Sequence, residues 1–293
     1  IARYRKEATG TLDDEQLRKL YERLVYLRNL EEKKEQVLAS IEEQGKLTEE
    51  LKKQILEAQT QVVVEDLYRP YRPKRRTRAT IAKEKGLEPL ATLITLQKTK
   101  ESLEEVAKQY INEEKGVANV QEALEGARDI IAENISDEAD YRSWIRKQTM
   151  QKGHIISSAK DEKAESVYEN YYEFDEPVNR LAGYRTLADI LRYLEKKIIR
   201  GENLNTTQIL KEAIEDSYKR LIAPAIEREI RGELTEKAED GAIEVFGKNL
   251  EQLLMQPPIV GHTVLGWDPA FRTGCKLAVV DPCLLYTSDA ADE

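Results

Sequence analysis

The sequence predicts a mainly α-helical protein whose last part contains a short β-hairpin. Charged residues make up 34% of the 293 residues, whereas Gly (14) and Pro (9) are scarce. Apolar residues recur at spacings of three and four over most of the chain. Abundant charge with few turn-forming residues favours long solvated helices over a turn-rich β fold. Only after Pro257 and Pro258 do short apolar runs replace the helical pattern.

Residues 1–64 are predicted to form an N-terminal helical region. Thr11 can cap the first helix, with Asp14 completing a capping box, and helical spacing continues as far as Ile41. Gly45 ends that helix, and Thr48 caps a second one that is expected to stop near residue 61. Two helices joined by so short a turn should fold back on each other as a hairpin.

Residues 65–258 are predicted to form an elongated helical central region. Helical patterns resume at Glu88, and Gly126 should let two helices approach closely. Short extended segments are expected at residues 154–158 and 168–174, before Pro177. Further helices are expected over residues 181–199, 206–223, 226–230 and 235–254, with Pro224 starting or kinking the third of them.

The basic loop, residues 68–78, is the strongest local feature. Between residues 66 and 85 eight Lys or Arg stand against two acids, although the chain carries a net charge of −9. Pro70 and Pro73 each remove an amide and favour an extended preceding residue, so residues 68–74 should be extended. Such a loop can follow a phosphate backbone, and its tyrosines can stack on bases. The candidate nucleic-acid-binding residues are Tyr68, Tyr71, Arg72, Lys74, Arg75, Arg76 and Arg78.

A second interpretation of the basic loop needs no ligand. The chain has 55 acidic residues, and the loop cations could instead pair with acidic helices of the same protein. The overall negative charge also provides no field over the whole surface that would attract a nucleic acid. Any nucleic-acid contact must therefore be local.

Residues 259–281 are predicted to begin a β-sheet domain. Apolar runs at residues 264–269 and 276–281 flank a glycine-containing turn, which is typical of a β-hairpin. Asp268 stands at the end of the first run and is a weak candidate ligand for a two-metal phosphate site. One carboxylate cannot hold such a site, and a turn-forming Asp-Pro pair is the other interpretation.

Several classes of function have no support in the sequence. Cys275 and Cys283 match no zinc spacing, and no phosphate loop or nucleophile constellation is present. No catalytic residue, metal or cofactor is therefore expected. No run of about 18 apolar residues exists, so no membrane span is predicted. Two free thiols suit a reducing cytoplasm.

Three groups of residues carry a resemblance to the Tex family of bacterial transcription accessory proteins. The first is at the N-terminus (IARYRKEATG, then LDDE), and the second covers the basic loop and the residues up to Gly86 (PYRPKRRTRATIAKEKG). The third joins SYKRLIAP to GWDPAFRTGCK. They lie at residues 1–10 and 12–15, 65–68 and 70–86, and 217–224, 256–258 and 266–276.

The resemblance implies a helix-turn-helix-like N-terminal part and a later RNase H-like (YqgF-type) α/β domain, of which residues 259–281 would be the truncated start. It also implies an OB-fold RNA-binding domain beyond residue 293. Residues 283–293 do not resemble the family's continuation after Asp281. Residues 282–293 are therefore expected to be a non-native tail, of which residues 283–293 pack against nothing.

The resemblance and the basic loop together predict a non-enzymatic, cytoplasmic scaffold fragment. Its partners would be RNA or single-stranded nucleic acid and the transcription machinery. One alternative is a nuclease or resolvase that uses Asp268 in the complete protein. Another is a helical protein-interaction module with no nucleic-acid contact.

Overall fold

The computed structural model has two compact units, residues 1–230 and 231–293. Helices dominate it and only two small antiparallel sheets are present in the described residues, so the predicted mainly α fold class is confirmed. No helix in the described part is both long and apolar enough to cross a membrane. The residues that the structure describes are 10, 12–99, 101–158, 172–178, 186–200, 203–257, 261–269, 274–282 and 286–289.

The elements follow one another in this order. The helices are α1 (Asp14–Glu43), α2 (Glu49–Glu57), α3 (Gln61–Tyr68), α4 (Arg78–Glu84), α5 (Glu88–Leu96), α6 (Leu103–Lys108), α7 (Val120–Asp137), α8 (Ala139–Lys152), α9 (Thr186–Ile198), α10 (Leu204–Asp216) and α11 (Ala223–Leu254). The strands are β1 (His154–Ser158), β2 (Glu173–Pro177), β3 (Val264–Pro269), β4 (Cys275–Val280) and β5 (Tyr286–Asp289).

Helices α1 and α2 share one apolar core, as two helices folded into a hairpin should. Asp13, rather than Thr11, caps α1: its carboxylate accepts the Gln16 amide at 2.7 Å, and Gln16 closes the capping box. Thr11 lies outside the described residues. The core of this region consists of Leu30, Val37, Ile41, Leu51, Ile55, Ala58 and Val64.

Helix α3 was not predicted, and it changes the shape of the basic loop. Thr60 caps α3, and Val64 on its inner face is fully buried. The helix crosses the predicted region boundary after residue 64 and contains Tyr68 itself. Beyond it the amides of Tyr71 and Arg72 donate to the Tyr68 carbonyl at 2.9 and 3.0 Å. The expected extended conformation is therefore wrong through Arg72.

The close helix approach expected at Gly126 is present where α7 packs against the α4–α5 region. A Cβ built at Gly126 would lie 2.4 Å from Leu87 Cδ1 and 3.3 Å from Ala82 Cβ. The absence of a side chain at Gly126 thus lets α7 approach Ala82 and Leu87. Leu90 and Ile94 on α5 and Ile130 on α7 are buried as well.

Helices α10 and α11 are joined without a break through a π-helical segment, Ser217–Ile222. Pro224 follows this segment and lacks the amide that would continue the α-helical ladder, which accounts for the local change of hydrogen bonding. Instead of the two helices expected after Pro224, one helix runs as far as Leu254.

The strands largely follow the predicted segments. β1 pairs antiparallel with β2, from His154 opposite Pro177 to Ser158 opposite Glu173. The second segment therefore lies later than the expected residues 168–174, of which 168–171 are outside the described part.

The predicted hairpin of β3 and β4 is present, with Val264 opposite Val280 and Asp268 opposite Lys276. A third strand, β5, pairs with β4. The expectation that residues 283–293 pack against nothing is wrong for the backbone of Tyr286–Asp289, because its amides and carbonyls complete the exposed edge of β4.

Candidate nucleic-acid interface

The basic loop borders an open cleft of about 820 Å³ within the first unit. Helices α3, α7 and α8 and the start of α11 supply the other walls. Seven Lys or Arg and five Asp or Glu residues line the cleft. Which of these charges are already paired decides what the cleft can bind.

Lys74 fixes the basic loop to helix α7. Its ammonium donates to Glu133 Oε1 at 2.6 Å and to Asp137, and its side chain is only 26% exposed. The Thr77 hydroxyl caps α4 and donates to Glu133 Oε2 at 2.8 Å. For Lys74 the second interpretation of the basic loop holds, because this cation pairs with acidic residues of a helix in the same protein.

The pKa values of the two carboxylates reflect this anchoring. Burial alone would raise the pKa of Glu133, but the hydrogen bonds from Lys74 and Thr77 outweigh burial and hold the pKa below its usual value. Burial raises the pKa of Asp137, although Lys74 and Arg69 oppose it. The loop cations thus favour the charged form of both carboxylates.

A buried ion network beneath the loop was not predicted from the sequence. Asp66 on α3 accepts Arg142 Nε at 2.6 Å and Arg146 Nη2 at 2.7 Å. Arg146 also bonds to Glu229 on α11, at 3.2 Å between Nη2 and Oε2. The side chains of Arg142 and Asp66 are only 4% and 8% exposed. The network joins α3, α8 and α11 and forms the floor of the cleft.

A second ion pair, Arg69 with Asp137, also lines the cleft. Arg69 Nε lies 3.2 Å from Asp137 Oδ1, and burial lowers the pKa of the Arg69 guanidinium. Burial would likewise lower the pKa of Arg146, but its hydrogen bonds to Glu229 and Asp66 outweigh burial and raise it. Carboxylates beside both guanidinium groups offset part of the cost of burying their charge.

Three of the predicted phosphate contacts form no direct ion pair. Arg72, Arg75 and Arg78 are exposed, and none lies within 4 Å of a carboxylate that the structure describes. Arg78 still interacts electrostatically with Asp129 and Asp216. Arg76 differs from them, because its Nη2 lies 3.3 Å from Glu84 Oε2. That pair is 72% and 56% exposed, so it is weak and water can compete for it.

The two candidate tyrosines hold the loop to the N-terminal helices. The Tyr68 hydroxyl lies 2.9 Å from Ser40 Oγ, and the Tyr71 carbonyl accepts Gln44 Nε2 at 2.9 Å. Both residues are half-buried against the core of α1–α3. A base could stack only on the parts of these rings that remain exposed, and their packing role had no signal in the sequence.

Arg228 is a cleft residue that sequence reasoning missed. It lies in the first turns of α11, faces the same cleft as Arg72 and Arg75, and is exposed. No motif surrounds it in the sequence, so only the fold could associate it with the basic loop.

Asp268 belongs to the second unit. It sits in β3 with its backbone opposite Lys276. Within the described ranges no three His, Cys, Asp or Glu side chains are grouped closely enough to hold a metal ion.

The comparisons with known proteins cover most of the chain. Residues 1–42 match the Tex-like protein N-terminal domain, and residues 98–206 match the Tex central region-like family. The uncharacterized protein YdcI of Bacillus subtilis is 52% identical over 96% of this chain and 42% of its own length.

Two further relatives carry more descriptive names. The transcriptional accessory protein Tex of Neisseria gonorrhoeae is 38% identical over 96% of this chain and 40% of its own length. The S1 RNA-binding domain-containing protein 1 of Homo sapiens is 30% identical over 96% of this chain and 32% of its own length. The chain thus spans about two fifths of the length of these bacterial relatives.

Proposed function

Because the chain belongs to the Tex family, we propose that it is part of a transcription accessory protein and that its basic loop binds RNA or another single-stranded nucleic acid. The role is one of binding and positioning, without catalysis. Relatives named as a transcriptional accessory protein and as an S1 RNA-binding domain-containing protein support a nucleic-acid-associated role. The transcription machinery is the partner that the first of these names suggests.

The observation that carries this proposal is the set of three exposed guanidinium groups, Arg72, Arg75 and Arg78, that form no direct ion pair with a described residue on an anchored loop. Tyr68 and Lys74 fix the loop to α1 and α7, so Arg72 and Arg75 project from a defined backbone. A pre-organised loop loses less conformational entropy when it binds. Since the chain as a whole is acidic, this local surface is where a polyanion would be attracted.

A nuclease activity has less support. A two-metal phosphate site needs several converging carboxylates, and Asp268 has none grouped with it in the described part. We infer that β3 and β4 begin an RNase H-like domain whose further strands would have to supply any such site.

Salt-dependent binding to a fluorescein-labelled single-stranded RNA tests the proposal. Each phosphate neutralised on a single strand contributes about −0.7 to the slope of log K against log salt. Replacing Arg72, Arg75 and Arg78 by Ala should therefore weaken binding and flatten the slope by about 2. The matched control replaces Lys52, Lys108 and Lys211, three exposed lysines without an ion pair in the described residues, and removes the same charge elsewhere.

The control variant should keep the slope of the parent chain. If both triple variants weaken RNA binding equally, the effect is one of net charge and the loop is not the site. If the loop variant binds as tightly as the parent and with the same slope, the basic loop is structural and the proposal is wrong.

A further inference from the structure

The charges that line the cleft are unequally paired. Each of its five acids has a cation partner, the last being Glu65, whose Oε1 lies 3.6 Å from Lys33 Nζ. Three of its cations, Arg72, Arg75 and Arg228, form no ion pair with any residue in the described ranges. The cleft therefore has an excess of positive charge that no ion pair among the described residues neutralises.

The floor of the cleft also has an unsatisfied donor. Arg142 Nη1 is buried and has no hydrogen-bond partner among the described residues, although Arg142 Nε is bonded to Asp66. A buried donor without an acceptor costs free energy, and an anionic ligand or a water molecule held by one would supply the acceptor. This residue lines the same cleft as the unpaired arginines.

An apolar surface lies beside these cations. Val62 on α3, Pro73 in the loop, Leu221 in the π-helical segment and Ala225 on α11 line the cleft together with the half-buried Tyr68. The volume of about 820 Å³ is in the range typical of small-molecule sites. A ligand that carries a flat apolar group next to a phosphate matches both parts of this lining.

We infer that the cleft binds one nucleotide unit, with its phosphate held by Arg72, Arg75 and Arg228 and its base against Val62, Leu221 and Ala225. The inference deepens the proposed function and rests on it for the class of the ligand. It assigns a binding role to Arg228, on α11, which lies far from the basic loop in sequence. A strand that runs along the loop would thus insert one of its nucleotides between α3 and α11.

Calorimetric titration of the full chain at low salt with adenosine monophosphate, adenosine and inorganic phosphate tests this inference. Adenosine monophosphate should bind, and the other two compounds should bind at least roughly tenfold more weakly, because each makes only half of the contacts. Arg228→Gln should weaken adenosine monophosphate binding by roughly tenfold, the loss of one charge-assisted hydrogen bond. Arg192→Gln, at an exposed arginine of α9 that does not line the cleft, should leave binding unchanged.

The outcomes separate this inference from the proposed function. Equal affinity for phosphate and adenosine monophosphate would show a bare anion site, and unchanged binding in Arg228→Gln would remove α11 from the site. Either result overturns the inference. If RNA binds through the loop but excess adenosine monophosphate does not displace it, the nucleotide cleft fails while the proposed function stands. If the mononucleotide binds and RNA does not, the cleft stands and RNA binding by the loop fails.

Discussion

Replacing Asp66 by Asn should destabilise the first unit more than any exposed charge change. Asp66 is 8% exposed and is the acceptor that Arg142 and Arg146 share. Asparagine keeps the shape but removes the charge, which leaves two guanidinium groups without their common carboxylate. Breaking a buried pair in this way costs about 3–5 kcal/mol, a large part of the roughly 5–15 kcal/mol by which a domain is stable.

Two comparison variants test the same geometry. Arg142→Met should cost less, about 1–3 kcal/mol, because Asp66 still accepts Arg146. Glu84→Gln breaks only the exposed pair with Arg76 and should cost under about 1 kcal/mol.

Urea unfolding followed by tryptophan fluorescence measures these differences within the first unit. In a Trp267→Phe background the signal comes from Trp144, which stacks on Tyr193 at 3.8 Å between ring centroids and lies in the same helix as Arg142. If Asp66→Asn lowers the free energy of unfolding by no more than Glu84→Gln does, the buried network does not hold α3, α8 and α11 together.

Three further predictions concern other contacts. Lys74→Met should lower the free energy of unfolding by about 1–3 kcal/mol, because Glu133 and Asp137 lose their shared cation. The variant should bind the labelled RNA more weakly because the loop loses an anchor, but it should keep the parent's slope of log K against log salt because Lys74 contacts no phosphate. Gly126→Ala should destabilise the chain by about 1–3 kcal/mol in urea titration, whereas Gly232→Ala, with open space around it, should stabilise it by up to about 1 kcal/mol. Hydrogen bonds from Arg220 hold the pKa of Asp216 below its usual 3.8. The free-energy difference between the parent and Arg220→Met should therefore be present at neutral pH and shrink as pH falls below that value.

The sequence predicted those elements correctly whose formation depends on a short stretch of chain. Apolar spacing predicted the positions of most helices. The two apolar runs predicted the positions of β3 and β4 to within one residue. Gly126 was also identified correctly as a place of close approach, since a Cβ at this position would lie 2.4 Å from Leu87 Cδ1. Each of these features depends on a short stretch of chain, and its physical cause is visible there.

Helix α3 shows why a local pattern can fail. Three consecutive β-branched residues, Val62, Val63 and Val64, precede a loop with two prolines, and both features disfavour helix. The helix forms because it buries Val64 against α1 and α2 and places Asp66 against Arg142. Tertiary burial outweighs propensity here, and nothing between residues 60 and 70 specifies those partners.

Lys74 could not be assigned from the basic loop alone for the same reason, because its acidic partners lie 59 and 63 residues away. The partner of Arg76, Glu84, is only 8 residues away. Had all five candidate cations touched phosphates, their removal would flatten the salt slope of single-strand binding by about 3.5. With Lys74 held by α7 and Arg76 facing Glu84, the structure instead implies a change of about 2 from Arg72, Arg75 and Arg78. The size of the measured change therefore distinguishes a loop that binds with every cation from one that uses some of them to hold its own shape.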